Sequence, residues 1–178
     1  MKDKVLVAYA STYGSTQEVA EAVAARMREI GLAVDLLPAR KVQSLEEYGA
    51  VVLGAPLYMF HWHKDALHFL SQHRNALTGL PVAVFALGPI HDAAEDWQEV
   101  RNELDKELAK ISWLAPAAVE VFGGKFDPTR LRFPWNLVPA LKQMPACDLR
   151  DWTAIRAWAS NLAEKVFCLS QESQPALV

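Results

Sequence analysis

KVLVAYASTYGSTQEVAEAVAARMREI, residues 4–30, holds two periodicities and a seam between them. From Val5 to Ala10 the residues are apolar or aromatic without alternation, the pattern of a strand buried on both faces. Beyond the seam Val19, Val23, Met27 and Ile30 form one stripe of a helix, and Gly31 supplies its stop signal. The seam is Ser11, Thr12, Tyr13, Gly14, Ser15 and Thr16: hydroxyls around a glycine, and no cation.

The same alternation continues outward. Further apolar runs lie at residues 50–55 (AVVLGA) and 81–87 (PVAVFAL), with a weaker one at 117–122 (AAVEVF) and a less regular strand at 33–37 (AVDLL). Helical spacing fills the gaps: Leu67, Leu70 and Leu77 from about Lys64 to Gly79, then Trp97, Val100, Leu104, Leu108 and Ile111. Trp152, Ile155, Ala159, Leu162 and Val166 mark the last helix, with Asp148 or Asp151 as its cap. Residues 40–48 suggest a short helix. Strands alternating with helices predict a doubly wound α/β domain, and five strands fit the parallel order 2-1-3-4-5 better than a six-strand dinucleotide fold. The domain is expected to span residues 1–168, with 169–178 a disordered tail.

Composition narrows the function classes. The 178 residues are 52% hydrophobic and 22% charged with a net charge of −3, an ordinary globular balance that gives no reason to expect nucleic acid as a partner. Cys147 and Cys168 lie far apart without His/Cys clustering, which argues against a metal site and for a reducing compartment. The chain enters a core strand straight after MKDK, and no apolar run reaches the ~18 residues of a membrane span. A cytoplasmic location is expected.

A strand-to-helix turn of this kind lies at the C-terminal edge of the sheet, where open α/β folds bind ligands. Free N–H groups at a helix start form an anion site without a charged side chain, and Gly14 lets the backbone approach closely. Ser11, Thr12, Ser15 and Thr16 add hydroxyl donors. A helix cap alone needs one such residue, whereas four surround this glycine. GxxxxGK[ST] and GxGxxG are both absent, which argues against a nucleoside triphosphate and against a dinucleotide pyrophosphate. A compact phosphate monoester suits the turn.

SxYGSTxxVAxxV after a strand resembles the FMN phosphate loop of flavodoxins, with Val7, Tyr9, Ser11, Gly14, Thr16, Ala20 and Val23 at the family's positions. The resemblance implies FMN as cofactor, its phosphate held by hydroxyls and amides of residues 11–16, Tyr13 among them, without a counter-ion. It implies that the loop after the third strand, Pro56, Leu57, Tyr58 and Met59, covers the flavin ring. Leu87, Gly88, Pro89 and Ile90 would flank the ring from the fourth strand. Phe60 and Trp62 suit either the ring or packing beneath the next helix; His61, His63 and His91 suit surface positions or the ligand. No catalytic acid or base is assigned.

Within that superfamily HWHKDA, the insert after the fifth strand and DLRDWTAIRAWA are similar to menaquinone-dependent protoporphyrinogen oxidases. That similarity implies a two-electron oxidoreductase with a quinone or other redox partner; the alternative is a flavodoxin-type electron carrier. Carriers of the family commonly use a glycine in the loop after the third strand, and residues 56–64 contain none. Putting φ above zero on a side-chain-bearing residue there costs about 1–2 kcal/mol, which disfavours the half-reduced flavin. The insert, residues 124–146, carries Pro128, Pro134, Pro139 and Pro145 and so cannot be one helix. Its Lys125, Arg130, Arg132 and Lys142 against Asp127, with Leu131, Phe133, Trp135, Leu137, Val138 and Leu141, suit peripheral contact with the inner membrane face or a large anionic substrate. Cover of a sheet edge or a homodimer interface is the other expectation.

Overall fold

The computed structural model describes residues 4–58 and 61–167. Strands β1 (Lys4–Tyr9), β2 (Ala33–Pro38) and β3 (Tyr48–Tyr58) form one side of a parallel sheet, and the two-residue β4 (His61–Trp62) folds back antiparallel on the end of β3. With β5 (Val82–Leu87) and β6 (Ala118–Phe122) the parallel order is β2-β1-β3-β5-β6, the expected 2-1-3-4-5 arrangement. Helices α1 (Ser15–Glu29), α2 (Lys64–Gln72), α3 (Arg74–Leu77), α4 (Ala94–Ala109), α5 (Pro139–Gln143) and α6 (Trp152–Asn161) complete the chain.

Unbroken apolar strands make sense because both sheet faces are covered. Along β1, Leu6 and Ala8 enter one core, whereas Val5 and Val7 enter the other. Strand β5 divides the same way, Val84 and Ala86 against Ala83 and Phe85. The first core packs against Ala66, Phe69 and Leu70 of α2 and Leu104 of α4; the second takes the stripe of α1 and Ile155 and Ala159 of α6. Each fully buried aliphatic or aromatic side chain contributes about 1.5–3 kcal/mol. Gly54 is a packing requirement: a Cβ there would stand 2.0 Å from Cζ of Phe85, whose ring also meets Phe122 and Trp158. Helices α1 and α6 are tied at their surface by Arg26 to Ser160 (2.8 Å) and by Arg156 to Glu29 (2.6 Å). Asp151 caps α6, its carboxylate accepting from the Ala154 N–H at 2.9 Å.

Two local expectations change, and one open alternative is decided. The helix expected from Lys64 to Gly79 breaks at His73, whose buried ring bonds the Val42 carbonyl oxygen at 3.3 Å. Residues 40–48 form no helix beyond a single 3-10 turn at Ala39–Lys41; Val42 and Leu45 are instead drawn singly into the core. Trp62 joins the core beneath the sheet edge, its indole N–H donating to the Ala55 carbonyl at 3.1 Å. The expected tail, 169–178, together with Met59, Phe60 and Cys168, lies outside the described residues.

The insert obeys its prolines. It contains 3-10 turns at Pro128–Arg130 and Trp135–Leu137 and the short α5. Its base is a small antiparallel ribbon, β7 (Lys125–Phe126) with β8 (Cys147–Asp148). Backbone bonds root this base: Gly124 N–H to the Pro89 carbonyl (2.8 Å) and Leu149 N–H to the Gly124 carbonyl (2.9 Å).

Candidate functional site

The left-handed conformation of Gly14, φ +93°, turns the chain from β1 into α1. A side chain rarely adopts that geometry, so the glycine is needed for the turn itself. The Gly14 N–H donates to Ser11 Oγ at 3.0 Å, which closes the turn on itself. The first intrahelical bond runs from Glu18 N–H to the Gly14 carbonyl, so the N–H groups of Ser15, Thr16 and Gln17 precede the ladder. Thr16 is 1% exposed and its Oγ1 has no hydrogen-bond partner. A buried hydroxyl left unpaired costs about 1–3 kcal/mol, so its place at a helix start calls for an acceptor. A phosphate oxygen on the open N–H groups fits that chemistry.

The turn has no cation of its own, but the fold brings cations to it. Arg150, with its side chain 3% exposed, donates to Glu18 (2.6 Å), to Asp148 (2.6 Å) and to the Ser15 carbonyl (3.4 Å). Its guanidinium holds the Asp148 carboxyl below the usual carboxylate range. Lys125 Nζ stands 4.0 Å from the same Glu18 carboxylate. The one acid in the first turn of α1 is thereby neutralised, which removes its repulsion of an anion. Arg130 Nη2 lies 4.0 Å from the position a Gly14 Cβ would take. Sequence reasoning placed neither Arg130 nor Arg150 at the turn. The insert's excess of cations was the available signal for the first, and an arginine between Asp148 and Asp151 for the second.

Beside the turn, a cleft of about 620 Å³ opens at the C-terminal ends of β1, β3 and β5. Thr12, Tyr13 and Ser15 line one end; Pro56, Leu57 and Tyr58 form one wall; Leu87, Gly88, Pro89 and Ile90 form the opposite wall. The three predicted loops therefore meet around one space. Ser11, Gly14 and Thr16 belong to the adjoining turn and do not line the cleft, and Met59 is outside the described residues. Phe126, Leu131, Trp135 and Leu141 roof the cleft from the insert, a wall the loop resemblance alone did not reveal. His91 reaches the rim, 3.8 Å from Asp96, as an exposed loop residue.

Polar groups on the β3 side are oriented with care. His63 Nδ1 accepts the Asp65 N–H at 3.1 Å and so caps α2; the ring proton must then sit on Nε2, which donates to Thr12 Oγ1 at 3.1 Å. Burial lowers the His63 pKa, so the ring is neutral at pH 7. Desolvation pushes the Tyr58 phenol up to about 12, partly offset by the Thr12 hydroxyl, although the whole residue is 41% exposed. Its hydroxyl end is the sheltered part, and it stays a donor across the neutral range. Behind the wall, the Trp62 N–H donates to Glu107 at 3.4 Å, and Lys110 pairs with the same carboxylate. Burial raises Glu107, but Lys110 and that N–H outweigh it, so the carboxylate stays ionised and clamps β4 to α4. Among the described residues there is no cluster of metal-ligating side chains, and no helix is long and apolar enough to cross a membrane.

A flavodoxin domain matches residues 6–135. The chain is 24% identical over 132 residues, 73% of each protein, to protoporphyrinogen IX dehydrogenase (quinone) of Escherichia coli. It is 23% identical over 172 residues to the protein of that name in Leishmania major, covering 90% of this chain and 74% of the relative. Among solved structures, oxidised flavodoxin 2 of Bacillus cereus superposes with a TM-score of 0.60 at 22% identity, covering 91% of this chain and 99% of that one. Flavodoxin 1 of the same organism gives 0.58 at 18% identity, covering 91% and 98%. The flavodoxin domain implies a flavin cofactor. The chain belongs to the flavodoxin domain family, in the branch similar to the quinone-linked protoporphyrinogen IX dehydrogenases.

Proposed function

We propose that this protein is an FMN-dependent oxidoreductase that carries two electrons from a reduced organic donor to a quinone. The observation that carries the reading is the unpaired Thr16 hydroxyl beside the open N–H groups of α1, at the end of a cleft walled by both flanking loops. Ser11 to Thr16 would hold the phosphate, Pro56 to Met59 one face of the ring, and Leu87 to Ile90 its other side. Bound there, FMN supplies the hydride and electron transfer, and the protein supplies position and electrostatics. Tyr58 keeps its proton and serves as a hydrogen-bond donor rather than a base.

The roof favours an enzyme over a carrier. An electron carrier needs an exposed cofactor edge, whereas Phe126, Leu131, Trp135 and Leu141 narrow this cleft into an apolar space suited to a planar organic substrate. A quinone as acceptor, with a porphyrinogen-like donor, takes its support from the names of the two relatives. The insert's outer side, with Phe133 77% and Leu137 65% exposed beside Arg132, is where a lipid quinone at an anionic membrane face would be met. Flotation with anionic vesicles tests that part by itself.

The purified protein is expected to be yellow with one FMN per chain, and reconstitution should favour FMN over FAD. The reduced holoprotein, kept free of oxygen, should be reoxidised by quinones. Tight FAD binding with weak FMN binding overturns the cofactor assignment. FMN binding without turnover of any quinone moves the protein to the carrier class.

A further inference from the structure

We propose that Arg130, carried by the insert, is the cation that closes the anion site of the hydroxyl-rich turn, so that the ligand's phosphate fastens the insert over the cleft. The inference rests on the FMN reading and adds to it a charged residue from a distant part of the chain. Several observations converge on Arg130. Its Nη2 lies over the open face of Gly14, at 4.0 Å from where a side chain would begin. A larger residue at position 14 would intrude between the two, so the glycine that shapes the turn also leaves the path to the guanidinium clear.

The arginine is aimed from its own side as well. The Asp127 carboxylate caps the 3-10 turn, accepting from the Thr129 N–H at 2.9 Å and from Thr129 Oγ1 at 2.6 Å. The Arg130 N–H donates to the Asp127 carbonyl at 3.1 Å. Two residues on, the Arg132 guanidinium stands 5.9 Å from the Tyr13 ring centroid, a cation–π contact that draws the same segment to the same turn.

Charge accounting leaves Arg130 for the ligand. Glu18 is already matched by Arg150 and Lys125. Among the described residues no carboxylate lies within ion-pair distance of Arg130. On the other side, the Thr16 hydroxyl is buried without a partner. An anion seated between them would take hydrogen bonds from the helix N–H groups and Thr16 below, and from a guanidinium above, whose fork matches two phosphate oxygens. The apolar residues of the roof then follow the arginine into place, because Leu131 is its chain neighbour and lines the cleft.

The test compares FMN with riboflavin, which shares the ring and lacks the phosphate, on apoprotein of the parent, Arg130→Gln and Arg130→Lys. Arg130 is exposed, so the variants are expected to keep the parent's circular dichroism and melting temperature. Arg130→Gln should lose roughly 10- to 100-fold in FMN affinity and leave riboflavin affinity within about threefold, with Arg130→Lys in between. FMN should protect the parent from tryptic cleavage after Arg132 and Lys142, riboflavin should not, and Arg130→Gln should lose the FMN protection. An FMN-to-riboflavin ratio unchanged by Arg130→Gln overturns the proposal while the cofactor assignment stands. Failure of the parent to bind FMN overturns the cofactor assignment, and this proposal with it.

Discussion

At the hydroxyl-rich turn Thr16 is buried, Gly14 is held in a left-handed conformation, and β1 behind it is packed on both faces. In the insert from 127 to 146 no residue is buried, and the chain is anchored at its base by the β7–β8 ribbon and the bonds of Gly124. One wall of the cleft is thus part of the core, and the roof is an attachment to it. The difference separates two kinds of energetics. Changes in the frame should cost stability first and ligand second. Changes in the roof should cost ligand or substrate and leave stability almost untouched.

The largest expected effect lies in the frame. Gly54→Ala sets a methyl 2.0 Å from the Phe85 ring in a core with no slack, so unfolding by urea should show a loss of about 3 kcal/mol. A variant as stable as the parent would mean that Phe85 and Trp158 repack freely. Thr16→Val sharpens the comparison at the turn. Removing a buried, unpaired hydroxyl should leave the melting temperature of the apoprotein unchanged or raised, while FMN affinity falls roughly 10- to 100-fold. Lower apoprotein stability would show that the hydroxyl has a structural partner and is not kept for a ligand.

The roof can be removed cleanly because Phe126 pairs with Cys147 across the ribbon. Replacing residues 127–146 by Asn-Gly closes β7 and β8 into a tight hairpin. Stability is expected to change by less than about 1 kcal/mol, since no buried side chain is lost, whereas FMN affinity and quinone turnover should fall. An unfolded product would show that the insert belongs to the frame. The smallest effect concerns His63. Its folded pKa is lowered by burial, so its contribution to stability is present above the ordinary imidazole value near ~6.5 and is lost as pH falls through and below it. His63→Asn keeps an acceptor for the Asp65 N–H without titrating. Between about pH 7 and 5 the parent should lose more stability than this variant. Equal losses would place the imidazole in a solvated setting.

The frame was legible because it follows local rules. Unbroken apolar runs marked β1, β3 and β5, weaker ones marked β2 and β6, and the stripe of Val19, Val23 and Met27 marked α1. What escaped depends on pairings distant in sequence. His73 breaks a continuous leucine pattern because its ring reaches the Val42 carbonyl, a partner the pattern does not contain. The short β4 carries too few residues for any periodicity, and Trp62 is drawn inward by the Ala55 carbonyl and Glu107. At the site, the loops around the cleft were readable from their positions at strand ends. Arg150 and Arg130 were not, since nothing local indicates that a cation near the end of the chain will face Glu18 or Gly14 near its start.

The central claim is that a flavin phosphate sits on the turn between β1 and α1. Amide chemical-shift mapping of the 19.8 kDa apoprotein with FMN and with riboflavin tests it most directly. FMN is expected to move the N–H resonances of Ser15, Thr16 and Gln17 strongly, riboflavin to move them little, and both to move Leu57, Tyr58 and Gly88. Shifts at Ser15 to Gln17 that are the same for both ligands, or absent with FMN bound, would contradict the account.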